Sequence, residues 1–480
     1  MSAELVDDIF VAGRWRAAHS KEYVTVTNPA TEEPIARVVS GDSVDIDAAV
    51  SAASEARYLW AGLPVSERCA LVMRLADEIE ARGDVFAKLI TTESGTPIAE
   101  SSHAPAQAAA HLRHVATIAP SLFSEDIRPN PLAPAHTLVK RVPIGVAGLI
   151  TPWNFPLTLI IVKLGPALVA GCTVVVKPAP ETPLTARMLM DAVAAAGIPP
   201  GVVNLVTGGG RTGQALVEHD QVQKISFTGS TAVGRAIGAE CGRRLRPVTL
   251  ELGGKSAALV LDDVDLDVLA ANILKVTMRN TGQTCKICTR LIVPASRRRE
   301  IVDLVADVIA AAPIGDPLDP TTFFGPLVSR RQLDRVLGYL ELGRREGARV
   351  VIGGGRPDRF DTGYFVEPTV FDEVTSSMRI AQEEIFGPVL SVLSYDDIDE
   401  AVEIANDSSY GLSGVVFGQD EERAMAVAER IDTGTIGINH YGSNVAAPFS
   451  GRKDSGIGVE FGLEGIAAYL GFTSIHRLNQ

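Results

Sequence analysis

Two hydrophobic periodicities divide the chain. From Asp45 to Ile90 apolar residues recur at helical spacing among Ala, Glu and Arg, as in Arg68-Cys-Ala-Leu-Val-Met-Arg-Leu-Ala-Asp-Glu-Ile79. This predicts packing helices that bury one face. His103, His111 and His114 fall in a third, Ala-rich helical segment and read as a solvated face, because no carboxylate or thiol pattern completes a metal site around them. Prolines between Ile118 and Pro134 break the helical pattern, and His136 to Val142 then reads as a strand. From Val142 onward strand and helix alternate: Val146 to Ile150, a helix near Leu157 to Val169, Thr173 to Val176, a helix Thr185 to Ala196, Val202 to Val206, a helix Gln214 to His219, and Lys224 to Phe227. Apolar strands alternating with helices imply a parallel, doubly wound sheet. Farther on, Arg298 to Ala311 and Gln332 to Glu346 read as helices among strands and loops such as Gly353-Gly-Gly-Arg-Pro357, a second α/β domain.

The length of 480 residues exceeds one ordinary core, and 46% hydrophobic residues mark densely packed domains, two or three of them. With 44 basic against 58 acidic residues the formal net charge is −14, which works against nucleic acid or an anionic membrane as partner and leaves small-molecule chemistry. The acidic stretch Met1 to Asp8 lacks the basic and apolar regions of a secretory signal. The longest apolar run, Leu157 to Val176, contains Lys163, Gly165-Pro166 and Gly171, so it reads as a helix followed by a buried strand rather than a membrane span. Five cysteines, at 69, 172, 241, 285 and 288, have no framework spacing; reduced thiols in a cytoplasm are expected.

A doubly wound sheet binds ligands beyond the carboxyl ends of its strands, and four strand ends here are chemically loaded. The first gives Thr151-Pro-Trp-Asn-Phe-Pro156, where Asn154 offers an amide N–H2 or, more plainly, an Asx turn. The second gives Lys177-Pro-Ala-Pro180-Glu181, with an ammonium suited to ribose hydroxyls or a 2′-phosphate, unless it is a surface lysine. The third, Gly208-Gly-Gly210-Arg-Thr-Gly213, is a formal GxGxxG, weakened because no acidic residue ends the next strand. The fourth, Phe227-Thr-Gly229-Ser230-Thr-Ala-Val-Gly234, sets small residues at a helix N-terminus, which favours phosphate. Val248-Thr-Leu-Glu251-Leu-Gly-Gly-Lys255 then places a carboxylate on an apolar strand, where burial raises its pKa toward that of a general base; an ion pair with Lys255 is the structural alternative.

The stretch Arg279-Asn-Thr-Gly-Gln-Thr-Cys285-Lys-Ile-Cys288-Thr-Arg290 carries the candidate nucleophile. Cys285 is flanked by Lys286, Arg279 and Arg290, charges expected to favour its thiolate, and Gly282 permits a tight backbone that leaves the sulfur's own N–H as an oxyanion donor. Cys288 reads as a small buried hydrophobe. The Cys-x-x-Cys spacing lacks the second ligand pair that zinc needs and the short thioredoxin-like setting of a redox motif.

Gly282-Gln-Thr-Cys285 resembles the active-site segment of the NAD(P)-dependent aldehyde dehydrogenase superfamily. Thr151 to Pro156, Phe227 to Gly234, Glu251 to Lys255, Glu383-Glu384-Ile-Phe386-Gly-Pro388 and Pro448 to Gly456 match that family in order, with Ser450 where glycine is more usual. The resemblance implies an aldehyde dehydrogenase-like α/β fold: two doubly wound α/β domains, cofactor-binding (1–119 and 143–251) and catalytic (252–462), with a small β oligomerisation arm (120–142 and 463–480). It implies oxidation of an aldehyde to the acid: Cys285 forms a thiohemiacetal and then a thioester, Asn154 helps hold the oxyanion, and Glu251 activates the hydrolysing water. The cofactor contacts carried over are Ile150, Pro152, Trp153, Lys177, Gly213, Phe227, Gly229, Ser230, Val233, Leu252 and Gly253, with Glu384 and Phe386 at the nicotinamide end. NAD is expected; NADP is possible because Pro180 stands where many NAD-preferring members have glutamate. No metal is expected, and the partners are a small aldehyde and further copies of the chain, as a homodimer or homotetramer. Alternatives are a CoA-acylating enzyme, which a base at Glu251 disfavours, and a catalytically silent protein on the same fold. Arg279, Thr284 and Lys286 are the candidate substrate pocket. An arginine at 279 suits the carboxylate of a semialdehyde, unless it pairs with a structural acid such as Asp265 or Asp267.

Overall fold

The strand–helix alternation builds an eight-stranded sheet. In the computed structural model, which describes residues 4–479, its parallel strands are Val146–Ile150, Thr173–Lys177, Val203–Leu205, Lys224–Thr228 and Val248–Glu251. Met1 to Ala3 and Gln480, which the signal and arm readings include, lie outside the described residues. The chain runs outward from the Val146 strand through Thr173 to Val203, then returns to pair Lys224 on the other side of Val146 and Val248 beyond it. The order therefore reverses between Val146 and Lys224, and a ligand crevice opens where connections leave in opposite directions. Register places Ile150 opposite Lys177 and Phe227, and Thr228 opposite Glu251. Three of the residues singled out from the sequence, Ile150, Lys177 and Phe227, thus stand in one row, with Glu251 one position beyond it.

Helix Pro156–Ala170 opens with proline at its first position and ends on left-handed Gly171, a proline and glycine placement that fixes both ends. It is buried almost all round, between the sheet and the helices Val65–Ala81 and Ala104–Ile118. That burial explains its largely apolar sequence, Lys163 apart, and among the described residues no helix is long and apolar enough to cross a membrane. The same packing overturns the solvated-face reading of the histidines. His103 is exposed, but His111 is 3% exposed, its ring edge-on to Phe461, and neither ring nitrogen has a hydrogen-bond partner. Burial, aided by His114, pushes its pKa down to about 4, so it packs as a neutral core group.

The second sheet has seven strands. Parallel Thr369–Asp372, Val389–Tyr395, Arg290–Pro294, Ala257–Val260, Ser413–Phe417 and Thr435–Ile438 follow in that spatial order, with Arg349–Ile352 antiparallel at one edge. Helices Leu266–Thr277 and Arg298–Ala311 cover one face, and Ile398–Asn406 and Glu421–Ala428 the other. A third, antiparallel sheet joins Asp126–Pro129, Ala135–Pro143 and Leu470–Leu478.

Two features were not anticipated. Strands Asp8–Val11 and Arg14–Ala17 extend the first sheet beyond Val203, while Glu4–Val6, Pro34–Val39 and Tyr23–Thr27 form a small sheet of their own. The two-residue strand Gly456–Ile457 also returns from the far end of the chain to pair antiparallel with Val248–Glu251.

Candidate active site

Helix Leu266–Thr277 ends at Met278, and the chain then passes through Asn280, Thr281 and Gly282 with φ of 53°, 53° and 74°. Left-handed backbone costs a non-glycine residue roughly 1–2 kcal/mol, and hydrogen bonds hold it here. Asn280 Nδ2 donates to Asn154 O (3.0 Å), Thr281 Oγ1 to Gly325 O (3.2 Å), and Gln283 Oε1 accepts from Val328 N (3.0 Å). The turn presents Cys285, partly exposed, to a cleft of about 460 Å³ that Asn154, Leu252, Gly253, Glu384 and Phe386 also line. Asn154 Nδ2 donates to Gln283 O (2.9 Å), which fixes the amide beside the nucleophile's own turn and leaves its second hydrogen for a ligand. The backbone N–H of Cys285 favours the thiolate of its own side chain.

The electrostatics differ from the sequence reading. Burial, with Glu384 and Glu251 next in order, pushes the Cys285 thiol up to about 12, and Lys286 opposes this only in part. The flanking cations are spoken for. Arg290 is buried and donates to the carbonyls of Lys255, Ile404, Ala405 and Asp407. Lys286 Nζ donates to Ser443 Oγ (2.6 Å) and lies 4.7 Å from the centre of the Tyr441 ring. Cys288 is fully buried in the core of the second sheet, as expected.

Glu251 is 4% exposed and neither carboxylate oxygen has a hydrogen-bond partner. Burial first, then the negative charge of Glu460, hold its pKa well above the usual carboxylate range, against the pull of Lys163. The ion pair with Lys255 does not form: Lys255 Nζ is itself buried without a partner, and burial pushes its pKa down to about 7. Lys163 instead pairs with Glu460 and donates to Thr228 Oγ1 (2.7 Å). Lys163 and Glu460 were missed as site residues, although a lysine inside the apolar run from Leu157 to Val176 was the available signal.

A second cavity of about 720 Å³ continues the cleft along the strand ends. Ile150, Pro152, Trp153, Lys177, Gly213, Phe227, Gly229, Ser230 and Val233 line it, and Leu252, Gly253, Glu384 and Phe386 line the cleft. Every cofactor contact expected from the sequence therefore faces one continuous groove. Lys177 is no surface residue: it is 5% exposed, donates to Pro178 O (2.7 Å) and Gly208 O (3.0 Å), and is lowered to about 8 by burial. A Cβ on Gly229 would stand 2.4 Å from the Phe227 ring, and one on Gly253 2.7 Å from the Glu384 carboxylate. Ser230 caps helix Thr231–Arg243 through Val233 N. At the thiol end Glu384 Oε1 accepts from Gly254 N (3.0 Å), burial raising its pKa to about 7, and the Phe386 ring stands edge-on to Trp153 at 5.3 Å. A long groove with a capped helix terminus midway, an ammonium at one end and a carboxylate by the thiol fits a dinucleotide. Arg331, Gln332 and Arg335, at the start of helix Arg330–Arg345, complete its wall. They were missed because their sequence shows only a Ser329-capped helix start. Among the described residues no three His, Cys, Asp or Glu side chains gather as a metal site.

The expected substrate residues stand apart from this cleft. Arg279 pairs with Glu100, its Nε 2.9 Å from Oε1, and lies 5.2 Å from the Phe155 ring centre. It therefore takes a structural acid, but neither of those anticipated: Asp265 caps its own helix through Asp267 N (2.9 Å). Arg279, Glu100, His103, Gln107, Asn280 and Tyr441 line a separate cavity of about 430 Å³. Thr284 Oγ1 donates back to Arg279 O (3.1 Å).

Known proteins match the chain in sequence and in overall structure. The family model described as "Aldehyde dehydrogenase family" matches residues 15–475. Geranial dehydrogenase of Castellaniella defragrans is 48% identical over 473 residues, covering 98% of each chain. An aldehyde dehydrogenase of Mycobacterium tuberculosis, solved with NAD+, superposes with a TM-score of 0.95 at 42% identity, covering 100% of this chain and 99% of its own. Aldehyde dehydrogenase C of Pseudomonas syringae, a mutant solved with NAD+ and octanal, gives 0.93 at 40% identity, covering 98% and 96%. Matched over its length in sequence and in structure, the chain belongs to the aldehyde dehydrogenase family.

Proposed function

We propose that this chain oxidises an aldehyde to its carboxylic acid with NAD. The observation that carries the reading is the groove itself, which joins a partly exposed Cys285, set beside Asn154, to a dinucleotide-shaped cavity ending at Lys177. Cys285 Sγ, as thiolate, adds to the aldehyde carbon and forms a thiohemiacetal. The oxyanion accepts from Asn154 Nδ2 and from the Cys285 backbone N–H, donors already fixed by the turn. Glu384 and Phe386 would hold the nicotinamide end of a bound dinucleotide, which would supply the hydride acceptor for conversion of the thiohemiacetal to the thioester. Glu251, its basicity raised by burial, takes a proton from the water that attacks the Cys285 thioester, releasing the acid and restoring the thiol. The Lys163–Glu460 pair sets the charge against which Glu251 ionises.

The named relatives act on or hold geranial and octanal, and by analogy a medium-chain aldehyde is the first substrate to try. We assign residues 1–119 and 143–251 to cofactor binding, 252–462 to catalysis, and 120–142 with 463–480 to an arm that joins copies of the chain as a dimer or tetramer. Exposed Ile127, Leu132, Phe472 and Leu478 on and beside the arm sheet support that last role, and five free thiols support a reducing compartment, the cytoplasm. The test is a panel of aldehydes with each dinucleotide, followed as absorbance of the reduced form, with and without coenzyme A. Acid formed without the thiol acceptor is expected; an absolute requirement for coenzyme A, or no reduction across the panel, overturns the reading.

A further inference from the structure

Two cavities make the groove, and among the described residues that line both, Arg331 alone carries a charge. It also comes from the opposite wall. The other shared residues, Pro152, Trp153, Thr228, Gly229 and Ser230, sit on or beside strands of the first sheet, whereas Arg331 stands in the first turn of helix Arg330–Arg345. Its Nη2 lies 3.1 Å from Oε1 of Glu181, which follows Lys177-Pro-Ala-Pro180 at the far end of the groove. The pair therefore spans the groove mouth at its ribose end. Arg331 is 83% exposed and Glu181 20%, so the pair is weak and exchanges readily for a stronger anion.

The charges nearby leave that anion a place. Pro180 brings no carboxylate, and Lys177 brings an ammonium. Glu240, which also lines the cavity, is engaged by Arg243 (Nε to Oε2, 2.8 Å) and Arg244, and Glu218 accepts from Gln214 Nε2 (2.8 Å). Among the described residues Glu181 is the carboxylate whose charge reaches the Lys177 ammonium, and it holds Arg331 at that spot until a phosphate competes for the guanidinium. We propose that Arg331 is a cofactor-selectivity residue: leaving Glu181, its guanidinium receives the 2′-phosphate of NADP alongside Lys177, so that the chain accepts NADP as well as NAD. A guanidinium recognises phosphate through paired donors, a stronger bond than its single contact with the Glu181 carboxylate. The proposal rests on the assignment of the groove to a nicotinamide dinucleotide.

The test measures binding directly. Trp153 lines the groove, and quenching of protein fluorescence on titration with NAD+ and NADP+ gives the ratio of the two dissociation constants. Arg331→Ala is expected to shift the ratio about 10-fold or more against NADP+, Arg331→Lys to restore part of it, and Glu181→Gln to move it toward NADP+. High salt should weaken NADP+ more than NAD+ in the wild type and lose that difference in Arg331→Ala. Equal weakening of both dinucleotides in Arg331→Ala overturns the proposal, since Arg331 would then serve a phosphate common to both. Wild-type binding of NAD+ with no measurable NADP+ binding overturns it as well. Binding of neither overturns the groove assignment and the proposal together.

Discussion

Gly282 rests against the backbone of Gly387: a Cβ at position 282 would stand 2.0 Å from the Gly387 carbonyl carbon and oxygen. The turn that presents the thiol is thereby seated on the segment that carries Glu384 and Phe386. Gly282→Ala must pay for a left-handed φ of 74°, roughly 1–2 kcal/mol, and must also push the two segments apart. Loss of activity beyond about 100-fold, with a lower Tm in thermal unfolding, is expected.

Cys285→Ala should form no reduced cofactor while still quenching with dinucleotide. Cys288→Ala should stay active with a lowered Tm, because it empties a fully buried site. With the Cys285 thiol near 12, its alkylation by iodoacetamide in the free enzyme should rise with pH throughout pH 7–10, close to tenfold per unit. Lys286→Met removes a charge that lowers this pKa, so alkylation at fixed pH should slow.

Glu251→Gln should give a first equivalent of reduced cofactor and then turn over slowly, since under the proposed mechanism only thioester hydrolysis loses its base. Glu460 raises the pKa of Glu251 and Lys163 lowers it. Glu460→Gln removes the like charge and frees the ammonium, so the acidic limb of the kcat–pH profile should move to lower pH. A shift to higher pH would contradict this coupling.

Because Glu100 already holds Arg279, wild type and Arg279→Leu should show the same ratio of kcat/KM for succinic semialdehyde over a neutral aldehyde of equal length. The variant should unfold at lower temperature, Glu100 having lost its cation. A preference for the acid that vanishes in the variant would restore Arg279 to substrate recognition.

Glu93 is fully buried, accepts from Leu184 N (2.9 Å), Thr185 N (3.0 Å) and the Thr185 hydroxyl, and has a pKa raised by burial from 4.5 to about 7. The folded state thus holds this proton more tightly than the unfolded chain. Its contribution is complete below about pH 4.5 and is lost as pH rises to about 7, on the order of 3 kcal/mol. Tm measured across pH 5–8 should fall less steeply for Glu93→Gln than for wild type.

The central strands were legible because each is a short apolar run between helix and glycine signals, and Arg298 to Ala311 matches its helix end to end. The candidate site was legible where chemistry sits at a strand end, as at Asn154, Lys177 and Glu251. What escaped depends on distance along the chain. Arg279 and Glu100 are 179 positions apart, and no local pattern at either selects the other over Asp265. Charge beside Cys285 in sequence implied activation, but side chains of successive residues diverge, and Lys286 points to Ser443. The strands from Glu4 to Val39 are three to six residues long, several mix charged and apolar positions, and their partners lie elsewhere.

The pairing of Gly456 with Glu251, reinforced by Leu252 N donating to Ser455 O (2.9 Å), has a consequence for synthesis on the ribosome. The strand that bears Glu251 is made first, yet its outer edge is closed by Gly456 and Ile457, which emerge some 200 positions later. Translation must pass Ile457 before that edge is sealed, so an interrupted product can contain Cys285 and its turn without a settled base. Under the proposed mechanism, a nascent chain becomes competent to hydrolyse a thioester only after Ile457 has been made.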